Sequence, residues 1–282
     1  MAGVCVVTDS ACDLQPETAA AHGIRVVPLT IRFGDEELVD QRELSTSAFW
    51  QRLLAGPHLP STAAPSPGAF REAFEAAGQD GAEGVLCLTL SGGVSATYQS
   101  ACAAAQDLAG ELPIEVVDTR TLTLGLGLLV LGAAEQAAAG ASLPDLVQAV
   151  RSRMARTAVL GVVGTLDHLR RGGRIGGAAH LVGSVLAIKP IIEVRDGVVE
   201  VESKQRTRSR ALAYLVEKVA SLGPFERIGV VEGAVEDAEA FLERLRAAVP
   251  EPEPLVAPLG PVVGAHAGPG TIGVCVVRRT GG

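Results

Sequence analysis

The chain has 282 residues, of which 48% are hydrophobic and only 3% aromatic, so its core must be built from aliphatic side chains. Its formal net charge of -8 provides no basic field to displace counterions, which excludes non-specific binding to nucleic acid. Only three lysines occur, and no G-x-x-x-x-G-K-[ST] loop is present, which excludes an ATP site of the Walker type.

In the first part of the chain, short apolar segments alternate with helical patterns. We predict strands at residues 3–8, 24–33, 85–90 and 114–117. Helices are predicted at residues 16–22, 45–54, 67–77, 95–108, 123–139 and 143–156. Ser45 and Ser66 are placed as N-caps, and a proline follows Ser66 at the first helical position. Strands separated by helices indicate right-handed crossovers and a mostly parallel sheet that is covered on both faces.

The pattern changes after residue 158, where antiparallel pairing is expected. Strands are predicted at residues 159–163, 188–195, 198–203, 228–232 and 272–277, and helices at 166–171, 207–221 and 235–248. Asp196-Gly197 between two of these strands is a strong hairpin signal. We therefore predict an α/β protein with two domains. The N-terminal domain (1–157) has a Rossmann-like, mostly parallel sheet, the C-terminal domain (158–282) is α+β with a mixed sheet, and the ligand lies between them.

The cysteines and the apolar tracts indicate a cellular compartment. The five cysteines form no C-x-x-C pair, and an odd number without regular spacing favours a reducing environment. No signal peptide and no apolar tract long enough to cross a bilayer are recognised, so we expect a cytoplasmic protein. No group of His, Cys and Asp has the spacing of metal ligands, and no metal is expected.

Polar side chains follow three predicted strands directly, at Asp9, at 91–95 and at Asp118. Ligands of parallel sheets bind at the carboxyl ends of the strands. Taken alone, however, Asp9, Ser95 and Asp118 are each better explained as caps of helices or turns. Ser95 is placed at the start of a helix, where free N–H groups and a partial positive charge favour a carboxylate or phosphate. The same residue lies in a G-x-S-x-T sequence that resembles a nucleophile elbow.

Three further residues are candidates for binding an anion. Thr62 is a hydroxyl in a predicted loop, where it either binds a ligand or stabilises a turn. Arg174 follows a pair of glycines and is suited to bidentate binding of a carboxylate, or else closes a helix C-terminus at the surface. His266 lies in a segment rich in glycine and proline, residues 260–270, which we predict as a loop that allows close approach of a ligand. Its alternative role is that of a packed polar residue.

Taken together, these segments resemble the DegV family, the fatty-acid-binding subunits of bacterial fatty acid kinase. The matching segments are VTDSACDL (7–14), STAAPS (61–66), LSGGVSATYQSA (90–101), VDTRTLTLGLG (117–127), LRRGGRI (169–175), IKP (188–190) and GPVVGAHAGPG (260–270). They occur in the order of the family and cover nearly the whole chain. The chain departs from the usual family pattern at Ala63, where a serine is usual, at Ala96, where a glycine is usual, and at Thr119, where a serine is usual.

The resemblance implies an apolar tunnel for one long-chain fatty acid, with the carboxylate near the junction of two domains. Thr62 and Ser95 match the hydroxyl ligands of the carboxylate, and Arg174 and His266 match polar groups around it. A separate ATP-binding kinase subunit would convert the carboxylate to an acyl phosphate for phospholipid synthesis. The chain itself would have no catalytic residue and no cofactor, and transient contact with a membrane is expected. Arg206 is a candidate contact for the kinase, or else part of a solvated basic face.

Two alternatives to this function remain open at the level of sequence. Ser95, Asp118 and His266 occur in the chain order of an α/β-hydrolase triad, which suggests a serine hydrolase. The other alternative is a regulatory lipid sensor that uses the same pocket without a kinase partner. The acyl hypothesis agrees with the aliphatic composition, because each buried methylene contributes about 0.8 kcal/mol.

Overall fold

Three β-sheets and the helices around them form the described part of the chain, which in this computed structural model comprises residues 3–56, 59–181 and 188–280. The strands are β1 (Val4–Asp9), β2 (Arg25–Val27), β3 (Thr30–Phe33), β4 (Glu36–Val39), β5 (Ser61–Ala63), β6 (Gly84–Thr89), β7 (Ile114–Asp118), β8 (Thr157–Val162), β9 (Lys189–Arg195), β10 (Val198–Gln205), β11 (Phe225–Gly233), β12 (Leu255–Pro258) and β13 (Thr271–Arg278). The predicted α/β class is confirmed.

The helices flank these sheets on both sides. They are α1 (Pro16–Ala21), α2 (Thr46–Ala55), α3 (Pro67–Gln79), α4 (Thr97–Asp107), α5 (Leu124–Ala138), α6 (Leu143–Met154), α7 (Asp167–Arg171), α8 (Arg208–Ala220), α9 (Ala238–Ala248) and α10 (Pro261–Ala267). Short 3-10 turns occupy Ser10–Cys12 and Gly176–Leu181. Among the described residues, no helix is long and apolar enough to cross a bilayer.

The first sheet has the order β2-β1-β6-β7, and all of its strands are parallel, as predicted. Every residue of β6 is buried, because helices cover both faces of the sheet. α3 and α4 pack on one face, and α5 and α6 on the other. The predicted caps are confirmed: the Ser45 and Ser66 hydroxyls accept from the backbone N–H groups of Ala48 and Ala69.

The second sheet has the order β10-β9-β8-β13-β11-β12 and is mixed, because only β11 and β12 run parallel. The predicted hairpin joins β9 to β10, and Asp196 and Gly197 at its tip both have positive φ. α8 and α9 cover one face of this sheet. The other face belongs to the largest apolar cluster, which combines Val6 and Leu86 of the first sheet with Val159 and Val231 of the second. The proposed division at residues 157 and 158 stays a prediction.

The prediction of one strand over residues 24–33 was wrong, because the chain forms two strands in different sheets. β2 belongs to the parallel sheet, whereas β3 lies in a small antiparallel sheet of order β4-β3-β5. Pro28 lies between them and has no N–H to donate to a ladder, so the chain leaves the first sheet there. β4, β5 and β12 were not predicted, and each has only three or four residues.

The prediction of a loop over residues 260–270 was also wrong, because most of this segment is helix α10. Pro261 occupies the first turn, where its missing N–H has no intrahelical partner to lose. Gly264 is required for packing, since a Cβ there would lie 2.9 Å from the Phe49 and Trp50 rings. The glycine and proline content therefore reflects close packing of a short helix, not a loop.

Candidate functional site

An apolar cavity lies between the carboxyl end of the parallel sheet and the face of the six-stranded sheet that α8 and α9 do not cover. Its volume is about 180 Å³. Aliphatic side chains make up most of the wall, among them Leu29, Leu90, Leu122, Val159, Val231 and Val262. All four sequence-predicted ligand residues line this same cavity: Thr62, Ser95, Arg174 and His266. The cavity therefore combines an aliphatic interior with a small group of polar side chains.

Thr62 and His266 are brought together from distant parts of the chain. Thr62 is on strand β5, not in a loop as predicted, and pairs with Ile31 of β3. His266 lies in the last turn of α10, and its Nε2 is 2.8 Å from Thr62 Oγ1. Gly172 at the end of α7 lies directly against this histidine, since a Cβ there would be 2.2 Å from His266 Nδ1. Only glycine leaves room for the ring at that point.

The His266 imidazole is neutral at physiological pH. Burial, and to a lesser extent the charges of Arg174 and His168, lower the pKa of His266 to about 4. Its Nδ1 is buried with no hydrogen-bond partner among the described residues. Because a buried N–H without an acceptor is unfavourable, we assign the proton to Nε2, which then donates to Thr62 Oγ1. This assignment leaves the Thr62 hydroxyl hydrogen free to point into the cavity.

Arg174 supplies a permanent positive charge to the same group. Its Nε donates to the carbonyl oxygen of Val94 at 3.1 Å, and its Nη1 donates to that of Gly172 at 2.7 Å. The second bond closes the C-terminus of α7, which was the alternative role considered for this arginine. Both bonds fix the guanidinium against the cavity wall and leave further N–H donors for a ligand. Arg174 therefore closes the helix and also lines the cavity, and its binding of a ligand stays a prediction.

Ser95 lies just before helix α4, which begins at Thr97 and not at Ser95 as predicted. Its Oγ accepts from the Thr97 N–H at 3.3 Å and lies 2.8 Å from Thr97 Oγ1. Ser95 therefore fixes the start of α4 and is also one of the residues that line the cavity. The Ala96 position usually held by glycine has φ of -79°, so its methyl group causes no backbone strain.

A hydrolase triad is not assembled around Ser95. Among the described residues, Ser95 pairs with Thr97, whereas His266 pairs with Thr62. Asp118 accepts from the backbone N–H groups of Gly92 and Arg120 and makes no bond to the histidine. Asp118 therefore stabilises a turn, which was its alternative role.

Two other sequence candidates lie outside the cavity wall. Arg206 is exposed in the short connection between β10 and α8 and does not line the cavity. Asp9 is fully buried and accepts from the backbone N–H groups of Ala11 at 3.0 Å and Leu90 at 2.7 Å. It therefore holds the end of β1 in place and has no access to a ligand.

A cluster of buried carboxyl groups, which sequence reasoning missed, lies directly behind the wall. It consists of Asp9, Asp13 and Asp40. Asp9 accepts from Leu90, and Asp13 accepts from the hydroxyl of Thr123; both of these partners line the cavity. Burial raises the pKa of Asp9 and of Asp40 to about 7 and that of Asp13 to about 8. Within the described ranges, no three His, Cys, Asp or Glu side chains are placed to hold a metal ion.

Comparison with known proteins identifies the family. The model of the DegV family, described as uncharacterised proteins, matches residues 3–279. A DegV domain-containing protein of Streptomyces coelicolor is 39% identical over 280 residues, covering 98% of this chain and 99% of the relative. A second one, from Deinococcus radiodurans, is 40% identical over 282 residues, covering 97% and 98%.

Solved structures of the same fold are described as fatty-acid-binding proteins. A Thermus thermophilus protein of this description has a TM-score of 0.91 at 33% identity and covers 98% of this chain and 100% of its own. DegV of Bacillus subtilis has a TM-score of 0.89 at 30% identity, covering 99% and 100%. A stearic-acid-binding protein of Eubacterium ventriosum has a TM-score of 0.90 at 26% identity, covering 99% and 98%. The chain therefore belongs to the DegV family.

Proposed function

We propose that this protein binds one long-chain fatty acid in the apolar cavity and presents its carboxylate to a separate, ATP-dependent kinase subunit. The observation that carries the proposal is the position of Thr62, Ser95, Arg174 and His266 on the wall of a single, largely aliphatic cavity. Its relatives in Thermus thermophilus and Bacillus subtilis are described as fatty-acid binding, which supports the same ligand here.

The polar group meets the requirements of a buried carboxylate. An ionised carboxylate is costly to bury unless it is paired and hydrogen-bonded. Arg174 supplies the opposite charge, and the Thr62 hydroxyl supplies a donor that His266 holds in orientation. Because His266 is neutral, one cation faces one anion and no surplus charge is left. Ser95 adds a second hydroxyl.

The aliphatic wall supplies the affinity for the chain. Each buried methylene contributes about 0.8 kcal/mol, so about fourteen of them contribute roughly 11 kcal/mol before the cost of ordering the ligand. The head group then fixes orientation more than it adds affinity. A binding site of this kind discriminates against alcohols and esters of the same length, because they leave Arg174 without a counter-ion.

The phosphorylation step requires a second protein. A carboxylate oxygen would attack the γ-phosphorus of ATP, the bond from that phosphorus to ADP would break, and an acyl phosphate would form. The sequence has no Walker-type loop to hold ATP, so we place the nucleotide on the partner. Exposed Arg206 is our candidate contact with that partner, and the cytoplasm is the proposed location.

Binding is tested by replacing one of two neighbouring arginines. Arg174→Gln removes the charge in the cavity, whereas Arg171→Gln removes an exposed charge three residues away. We expect Arg174→Gln to weaken the binding of oleate about 10- to 150-fold, since a bond to a charged group contributes about 1.5–3 kcal/mol. Arg171→Gln should bind like the wild type, as measured by displacement of a fluorescent fatty acid. Equal affinities of both variants and the wild type would refute the head-group assignment.

The kinase step is tested with hydroxylamine, which traps an acyl phosphate as a hydroxamate. We expect no hydroxamate from the fatty-acid-loaded protein with ATP and Mg²⁺ alone. Product should form when a purified ATP-binding kinase subunit from the same genome is added. Arg206→Glu should lower the rate of product formation without altering the affinity for oleate. Product from the protein alone would contradict the assignment as a non-catalytic subunit.

A further inference from the structure

Gly161 lines the cavity on the side formed by the six-stranded sheet, which we call the cavity floor. It belongs to β8, where it pairs with Gly273 of β13 on one side and with Ile192 of β9 on the other. Directly opposite residues share a face of the sheet, and Gly161 and Ile192 both line the cavity. The floor therefore has a position with no side chain, beside a large aliphatic one.

Neither the backbone conformation of Gly161 nor a neighbouring side chain requires glycine at this position. The φ of Gly161 is not positive, so any residue can adopt its backbone conformation. Apart from its chain neighbours, the atoms nearest to a Cβ there would be the carbonyl oxygen of Ile272 at 3.3 Å and the Cα of Gly273 at 3.6 Å. No side chain comes closer than these backbone atoms, and a small shift would accommodate the added carbon.

Glycines on β13, β11 and α5 differ in this respect. A Cβ at Gly273 would lie 2.9 Å from a methyl group of Val231, and one at Gly229 would lie 3.0 Å from Leu124. At Gly125 the distance to Val159 would be 2.4 Å. At these positions a neighbouring side chain fills the space that glycine leaves. At Gly161 that space belongs to the cavity.

We propose that Gly161 determines the length of acyl chain that the cavity accepts, because the alkyl chain occupies the space left by its missing side chain. This inference rests on the proposed binding of fatty acids and adds the residue that selects among them. A glycine inside a strand commonly marks a point where a ligand approaches the backbone closely. A larger residue at 161 shortens the accessible cavity while the carboxylate site, formed by other elements, is left unchanged.

The test measures affinities for a series of saturated fatty acids from octanoate to stearate. Gly161→Ala and Gly161→Val should leave the short acids unaffected and weaken the long ones, roughly fourfold for each methylene that no longer fits. In the double variant, Gly161→Val adds three carbons to the cavity floor and Ile192→Ala removes three beside them. The total volume is conserved, so this variant should recover binding of long chains. Ala158→Val, on the opposite face of β8, is the matched control and should keep the wild-type profile.

The outcomes separate this inference from the proposed function. If the wild type binds no member of the series, the proposed function fails. If the wild type binds and the Gly161 variants keep its order of preference, Gly161 does not select chain length and the inference is overturned. If circular dichroism shows that Gly161→Val does not fold, Gly161→Ala and the double variant test the inference instead. It is then overturned if Gly161→Ala keeps the wild-type order of preference among the fatty acids.

Discussion

Replacing Asp40 by asparagine tests the buried carboxyl cluster behind the cavity. Asp40 has no exposed surface, and its burial raises the pKa of the carboxyl group from 3.8 to about 7. The folded protein therefore keeps this proton at pH values where the unfolded chain has released it. The stability that the protonated Asp40 carboxyl group contributes is fully present below pH 3.8 and is lost as the pH rises through about 7.

The magnitude follows from proton linkage. One extra proton on the folded state lowers the free energy of unfolding by about 1.4 kcal/mol for each pH unit of increase. Over the interval from 3.8 to about 7, the loss from Asp40 is on the order of 4 kcal/mol. An asparagine side chain stays neutral throughout, so Asp40→Asn should make the decline between about pH 5 and 6.5 shallower by about 1.4 kcal/mol per pH unit. The charge of Asp40 also raises the pKa of Asp9 and Asp13. Removing that charge lowers both pKa values, which makes the decline in stability shallower as well.

Equilibrium urea unfolding of both proteins across this pH range measures the effect directly. Asp35→Asn is the matched control, because Asp35 is exposed and lies five residues away. We expect the control to follow the wild-type curve. Parallel curves for the wild type and Asp40→Asn would show that Asp40 is ionised in the folded protein and would refute the reasoning.

Two further variants test contacts that hold the site together. Gly172→Ala would place a methyl group 2.2 Å from His266 Nδ1, so we expect the ring to be displaced and oleate affinity to fall about tenfold or more; an unchanged affinity in the displacement assay would contradict this. The buried hydroxyl of Ser91 donates to the Gly197 carbonyl oxygen at 2.6 Å and joins the loop after β6 to the β9–β10 hairpin. Ser91→Ala should lower the free energy of unfolding by about 1–3 kcal/mol, measured by urea unfolding, and a smaller loss would mean that this contact is unimportant for stability.

Local signals in the sequence predicted most of the fold. Serine caps such as Ser45 and Ser66 identify helix starts because their chemistry involves only the next three residues. Asp196-Gly197 identifies the hairpin for the same reason. Helix α10 was missed because its glycines are required by side chains from elsewhere in the chain. Gly264, for example, is required by the aromatic side chains of α2, and no local pattern shows that contact.

The candidate site could be predicted only in part. Motifs pointed to Thr62 and His266 separately, but their hydrogen bond joins residues 204 positions apart and depends on the tertiary fold. Asp9 was interpreted as a strand-end polar group open to a ligand, and the structure buries it completely. Ser10 and Asp40 both bond to the backbone of Leu29, and the sequence of β1 alone does not specify such contacts between distant segments.

Mass spectrometry of the protein purified from a bacterial host tests the central claim most directly. Native spectra, followed by solvent extraction of the same sample, would identify and count any lipid that copurifies. We predict one fatty acid per chain in the wild type, and strongly reduced occupancy in Arg174→Gln. A wild-type protein that carries no fatty acid and takes up neither added palmitate nor added oleate would contradict the account.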